Sequence, residues 1–223
     1  MIVVETKKNI IYEVLRDEIV EGNLRPGERI VISNLASKYE VSQMPVREAI
    51  DRLQLEGFIE STPHIGARVM EMSLDDLREI LMIRMELEPL ACKLSAPFIT
   101  EETFTQLDEI LDKMAQCLSD NNHYQFGKLN KQLHITVYCA GPHKIVQNLI
   151  KSLWDRSEYT RNIFRVNVNR NKESHEEHLA WIQALRNGDA EQAVEVLKKQ
   201  KRTQFDKYLE FLEQREMFKG APS

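Results

Sequence analysis

Apolar side chains recur three and four residues apart along most of the chain, the spacing of helices that bury one face. Ile10, Ile11, Val14, Leu15 and Ile19 form the first such stripe, and Gly22 ends it. Arg25-Pro26-Gly27 reads as a turn, and Arg29-Ile30-Val31-Ile32 as a short β-branched strand. Ser33 is then expected to cap a short helix with Leu35, Ala36 and Tyr39 inward. After a break at Glu40-Val41, Ser42 caps another whose inner face is Val46, Ala49, Ile50 and Leu53. Pro45 fits that first turn, where backbone N–H groups have no intrahelical partner. Gly57 closes the helix, and 58–61 and 67–70 read as two strands around a turn at 62–66. Helix, strand, helix, turn, helix and hairpin together predict a winged helix-turn-helix.

Beyond residue 70 the strand pattern disappears. Ser73 is a candidate N-cap, with Asp75, Asp76 and Glu79 in or near the following first turn. Six helices are expected, at about 74–96, 100–119, 122–140, 142–168, 170–187 and 189–216, with Pro89 kinking the first. The fold class is therefore mainly α: a winged helix-turn-helix over 1–72, an all-α helical bundle over 73–216 and a tail over 217–223.

The 8 Gly and 7 Pro among 223 residues agree with a helical rather than all-β chain. No run of eighteen apolar residues is present, so no membrane span is expected, and the start shows no signal-peptide pattern. Cys92, Cys117 and Cys139 are widely spaced within helical patterns and read as reduced core thiols of a cytoplasmic protein. Met82 and Met85 also read as core. The net charge of −5 does not suggest a nucleic-acid partner, and residues 1–72 carry only 9 Lys and Arg against 12 Asp and Glu.

The chemistry points the other way. With its inner face in the core, the helix after Ser42 turns Gln43, Met44, Arg47, Glu48 and Asp51 outward. Long polar side chains near the N-terminus of such a helix suit the DNA major groove. Arg47 can donate two parallel hydrogen bonds to guanine, and Gln43 suits adenine. For a lone arginine a solvated helix face would be the plainer explanation.

The string from Leu35 to Gly57 resembles the GntR family of bacterial transcriptional regulators, whose run is close to L-A-x-x-x-G-V-S-R-T-P-V-R-E-A-L-x-R-L-x-x-E-G. Leu35, Ala36, Val41, Ser42, Pro45, Val46, Arg47, Glu48, Ala49, Arg52, Leu53, Glu56 and Gly57 match it. Glu40, Gln43 and Met44 depart from its Gly, Arg and Thr. The turn from Gly22 to Gly27 is similar to the family's G-x-L-x-P-G, and Pro63–Ala67 to its wing. The resemblance implies DNA contacts from Arg25, Ser42, Gln43, Met44, Arg47, Arg52, His64 and Gly66. It further implies a homodimer on a palindromic double-stranded operator, acting as a repressor.

The remainder resembles the FCD branch of that family, closest to its six-helix VanR-type subgroup. Arg84–Ala91 matches the branch's R-x-x-L-E-x-x-A segment, which implies that Arg84 faces a cavity for a small organic-acid effector. An exposed ion pair of Arg84 with Glu88 is the alternative. Many members hold a divalent metal on an Asp-x3-His pair and two later histidines. The corresponding residues here are Asn130, His134, His178 and Gln200, so amides replace two ligands. Neutral amides are poor ligands for a transition metal, which favours an effector bound directly by Arg84, Asn130, His134, His178 and Gln200. A weakly held zinc or nickel ion on His134 and His178 is the other option.

No enzyme is expected. The run from His175 to His178 is not H-E-x-x-H, no Gly-rich phosphate loop occurs, and no cysteine has a recognisable histidine partner. A helical metal- or ligand-binding protein whose N-terminal domain makes protein contacts is the competing functional class.

Overall fold

The computed structural model describes residues 7–62, 66–164 and 170–219. They form two compact units. The first holds the described residues up to Leu77 together with 155–164, and the second holds 78–154 with 170–219.

In the first unit α1 (Lys7–Val20) buries Ile11, Tyr12, Leu15, Ile19 and Val20 on one face, and Gly22 follows it in the left-handed region at φ 79°. β1 (Arg29–Ile30) leads directly into α2 (Ile32–Lys38), whose N-cap is Val31. Ser33, expected as the cap, lies inside the helix instead: the chain turns helical straight out of β1. Leu35 and Ala36 face inward. Glu40 then reverses the chain at φ 52°, the position where the family pattern has glycine.

Helix α3 (Gln43–Leu55) packs on α1 and α2 through Val46, Ala49, Ile50 and Leu53, at most 3% exposed. Ser42 occupies its N-cap in extended backbone, but its hydroxyl makes no capping hydrogen bond. β2 (Ile59–Thr62) and β3 (Gly66–Val69) form the hairpin, and β1 pairs with the other edge of β3, giving an antiparallel sheet in the order β1-β3-β2. The wing tip with His64 lies outside the described residues.

Among the described residues six helices follow: α4 (Leu74–Ser95), α5 (Glu101–Ser119), α6 (His123–Tyr138), α7 (Lys144–Phe164), α8 (Asn171–Arg186) and α9 (Ala190–Lys219), with a 3-10 turn at Ala96–Phe98. Ser73 caps α4 reciprocally. The Asp76 N–H donates to Ser73 Oγ at 3.0 Å, and the Ser73 N–H donates back to the Asp76 carboxylate at 2.6 Å. Helix α4 continues through Pro89.

The end of α7 belongs to the first unit, which the sequence reading did not anticipate. Asp155 accepts from Arg16 Nε at 3.0 Å, Tyr159 meets Phe58 edge-on at 6.3 Å, and the Tyr159 hydroxyl donates to the Met70 carbonyl at 2.6 Å. The second unit is organised around Leu107, Met114, Leu133, Val137, Ile150, Ala193 and Leu197, all fully buried. Cys92 and Cys117 are buried and Cys139 half-buried, none in a disulfide. Burial pushes the Cys92 thiol up to about 11, against a hydrogen bond from Trp181, so it stays protonated. Met82, read as core, is instead 48% exposed, because Leu77, Ile80 and Leu81 carry the buried face of that turn. Among the described residues no helix is long and apolar enough to cross a membrane.

Candidate nucleic-acid interface and buried polar cluster

In the first unit the outward face of α3 carries Gln43, Met44, Arg47, Glu48 and Asp51, all exposed, with Met44 at 64%. The Arg47 side chain makes no ion pair or hydrogen bond within the described residues, so its whole guanidinium is open to a partner. Gln43 and Ser42 share the same exposed first turn. Glu48 takes Lys8 of α1 at 3.5 Å, which draws one of the two acids on this face toward α1.

Arg52 is placed differently. Its Nε donates to Glu56 at 3.1 Å and its guanidinium lies over the Tyr12 ring at 3.5 Å, while Tyr12 donates to the other oxygen of Glu56 at 2.6 Å. This arrangement braces α3 against α1. Arg25 is exposed in its turn, its backbone N–H donating to Glu28. Gly66, at φ 101°, starts β3, and a side chain there would come within 3.9 Å of Arg29. Arg29 is an exposed cation beside the wing that the sequence reading missed. Its position follows from the pairing of Arg29 with Arg68, a long-range register that no local pattern encodes.

The second unit buries a polar cluster. Glu88, 0% exposed, accepts from Arg84 Nε at 2.7 Å, from Lys201 Nζ at 2.8 Å and from the Tyr138 hydroxyl at 2.7 Å. The Arg84–Glu88 pair weighed above as an exposed contact therefore forms, but fully buried. Burial by itself would raise the Glu88 carboxyl; Arg84 and Lys201 outweigh it and hold the group below its usual range. The Arg84 guanidinium lies 3.7 Å over Trp154, and Lys201 Nζ is 5.0 Å from that ring.

His134 is stacked on Trp181 with ring centres 4.8 Å apart. Its Nδ1 is 2.9 Å from the Tyr138 hydroxyl and its Nε2 is 3.0 Å from His178 Nε2. Burial first, and Lys201 second, push both histidines well below their ordinary value, so both are neutral. Among the described residues His178 Nδ1 and both amide atoms of Gln200 are buried with no hydrogen-bond partner. Asn130 is half-buried on α6. The structure thus sets Arg84 and His134 beside Glu88, with His178 against His134, and adds Lys201, Tyr138 and Trp154, which the sequence reading did not name. The one available signal was a Lys directly after the Gln that takes a ligand position.

These residues do not fit a divalent ion. Among the described residues no three His, Cys, Asp or Glu side chains are placed to hold a metal, and the buried Lys201 cation already acts on both histidines, as Arg84 does on His134. The nitrogens that would coordinate it face each other at hydrogen-bond distance.

Comparison with known proteins places this geometry. Residues 7–69 match the family described as "Bacterial regulatory proteins, gntR family", and residues 79–200 match the FCD domain. The HTH-type transcriptional regulator McbR of Escherichia coli (strain K12) is 31% identical over 142 residues, 64% of either chain, so that match spans a little under two thirds of its length. The HTH-type transcriptional repressor RspR of the same organism is 28% identical over 153 residues, 67% of either chain. The solved structure of E. coli McbR/YncC superposes with a TM-score of 0.79 at 24% identity, covering 94% of this chain and 100% of that one, which establishes the shared fold. These families are transcriptional regulators and not enzymes. The chain belongs to the gntR family of bacterial regulatory proteins, in the branch whose helical part is an FCD domain.

Proposed function

We propose that this DNA-binding transcriptional regulator is a cytoplasmic repressor that binds a palindromic operator as a homodimer and is controlled by a small organic acid in its helical unit. The observation that carries the DNA reading is the open Arg47 guanidinium on the exposed first turns of α3, with Gln43 beside it. Arg47 is assigned to a guanine edge and Gln43 to an adenine edge, while Ser42, Arg25 and the wing at Gly66 hold backbone phosphates. Arg52 supports this surface by bracing α3 on Tyr12 and Glu56. Because residues 1–72 are net acidic, affinity depends on a few placed contacts and on pairing of two half-sites.

The repressor assignment is supported by the similarity to RspR, a transcriptional repressor. The buried cations Arg84 and Lys201, with the His178 and Gln200 atoms that have no hydrogen-bond partner among the described residues, support a small anionic effector. The effector controls operator binding only by its difference in affinity between the DNA-bound and DNA-free conformations.

The test is selection of DNA from a random pool, followed by affinity measurement on the enriched sequence with the Arg47→Ala variant. Affinity falls at least tenfold while the unfolding midpoint and ligand binding stay unchanged. Equal affinity of variant and parent would remove the recognition-helix assignment.

A further inference from the structure

Residues 1–72 are net acidic, so an anion can settle only where a positive charge is left unpaired. In the first unit Lys8, Arg16, Lys38, Arg52 and Arg68 each pair with a carboxylate, of Glu48, Asp155, Glu18, Glu56 and Glu60 in turn. Among the described residues the side chains of Arg25, Arg29 and Arg47 make no ion pair and no hydrogen bond, and all three are exposed. Arg47 and Arg25 are already assigned to an operator base and phosphate. Arg29 is the third open guanidinium.

The register of the sheet decides what Arg29 faces. In the antiparallel order β1-β3-β2, Arg29 stands opposite Arg68, and Arg68 opposite Glu60. Directly opposed residues share a face of the sheet, so the three make one row across it. Glu60 takes Arg68 in an ion pair. Arg29 is left on the edge strand beside a like charge, an arrangement that costs stability by itself. Its side chain leans along β3 toward the wing. A Cβ at Gly66 would come within 3.9 Å of Arg29 Nε and 4.0 Å of a terminal nitrogen, and Gly66 is two residues nearer the hairpin turn than Arg68. Such diagonal neighbours are within reach of a long side chain, and Gly66 has no side chain with which to cover the guanidinium. A planar guanidinium can bind two phosphate oxygens at once. Its open donors lie at the wing position already assigned to the DNA backbone.

We propose that Arg29 is a DNA-contact residue that holds a backbone phosphate beside the wing, so that strand β1 joins α3 and the wing as a third element of the interface. The contact positions the first unit on the duplex and carries no sequence information, in contrast with Arg47. Glu60 keeps Arg68 out of the same role. This inference rests on the DNA reading above and extends it to a strand outside the helix-turn-helix motif.

The test follows fluorescence anisotropy of two labelled duplexes with the full chain: the sequence enriched from a random pool, and a scrambled one of equal length. Affinities are measured between about 50 and 200 mM potassium chloride. Arg29→Gln lowers affinity for both duplexes by the same factor, about fivefold or more at the lower salt, and reduces the slope of log affinity against log salt by about 0.9 for each DNA-binding unit engaged. Arg29→Lys keeps the charge and most of the slope. Lys38→Gln removes an equal charge from a cation already paired with Glu18, and leaves the slope unchanged. The unfolding midpoint of Arg29→Gln does not fall, because the variant relieves the like-charge pair with Arg68. An unchanged slope, an equal change in Lys38→Gln, a loss confined to the enriched sequence, or a lowered midpoint overturns the inference. If Arg47→Ala still weakens the enriched duplex by about tenfold or more, the recognition-helix reading survives that outcome. Equal binding of both duplexes by the parent, or Arg47→Ala without effect, overturns that reading instead, while the Arg29 slope is still decided on the scrambled duplex.

Discussion

Replacing Glu88 by Gln removes a negative charge that pairs with both Arg84 and Lys201 in the interior of the second unit while keeping the side chain's size. At 2.7–2.8 Å each ion pair is worth about 6 kcal/mol of attraction at an effective dielectric of about 20. Against that loss, the variant no longer has to desolvate a carboxylate, a relief of several kcal/mol, and the amide oxygen still accepts one hydrogen bond. The net expectation is destabilisation by about 3–5 kcal/mol, the usual cost of stranding a buried charge. That is a large part of the roughly 5–15 kcal/mol that holds a domain folded. The assay is equilibrium urea unfolding followed by tryptophan fluorescence. The chain has two tryptophans, Trp154 and Trp181, both buried in the second unit, so the signal reports that unit. A cycle with Lys201→Met separates the pair from its surroundings: the double variant should lose at least about 2 kcal/mol less than the two single losses combined. A cost below about 1 kcal/mol for Glu88→Gln, or strict additivity in the cycle, would refute the reasoning.

Other outcomes follow from the same structure. Glu40→Gly should stabilise the first unit by about 1 kcal/mol, because φ 52° strains a residue with a Cβ; a lowered midpoint in circular-dichroism melts would refute this. Arg16→Ala removes the ion pair of Arg16 with Asp155, whose side chain is 5% exposed, and should cost about 2–3 kcal/mol in denaturant titrations. In EDTA, stability should fall as pH drops below about 6.5. Both His134 and His178 have folded values lowered well beneath the unfolded one, so the unfolded chain binds more protons in that window and the stabilisation is present above it. If both stay neutral to pH 5.5, each contributes about 1.4 kcal/mol of loss there, and His178→Gln should reduce the pH dependence by about half. A flat fluorescence-detected stability profile between pH 7.5 and 5.5 would contradict neutral buried histidines.

The local order of the chain is legible in the spacing of its residues. The stripe Val46, Ala49, Ile50, Leu53 implied both the buried face of α3 and, by exclusion, the outward set around Arg47, because a helix repeats every 3.6 residues wherever it packs. The Ser73–Asp76 cap was legible for the same reason: its partners are three residues apart. The start of α2 was not, since capping by Val31 instead of Ser33 depends on how β1 is held by β3.

Contacts between distant parts of the chain depend on packing. Residue spacing allowed Arg84 to meet Glu88 but could not show that the pair is buried under Trp154 with Lys201 as a third member, 113 positions further along the chain. Arg16 and Asp155 lie 139 residues apart, and His134 and His178 lie 44 apart. Their meeting depends on how helices pack, whereas periodicity records only which face of each helix is apolar. Residue types therefore specify which side chains can do chemistry, and packing decides which of them meet.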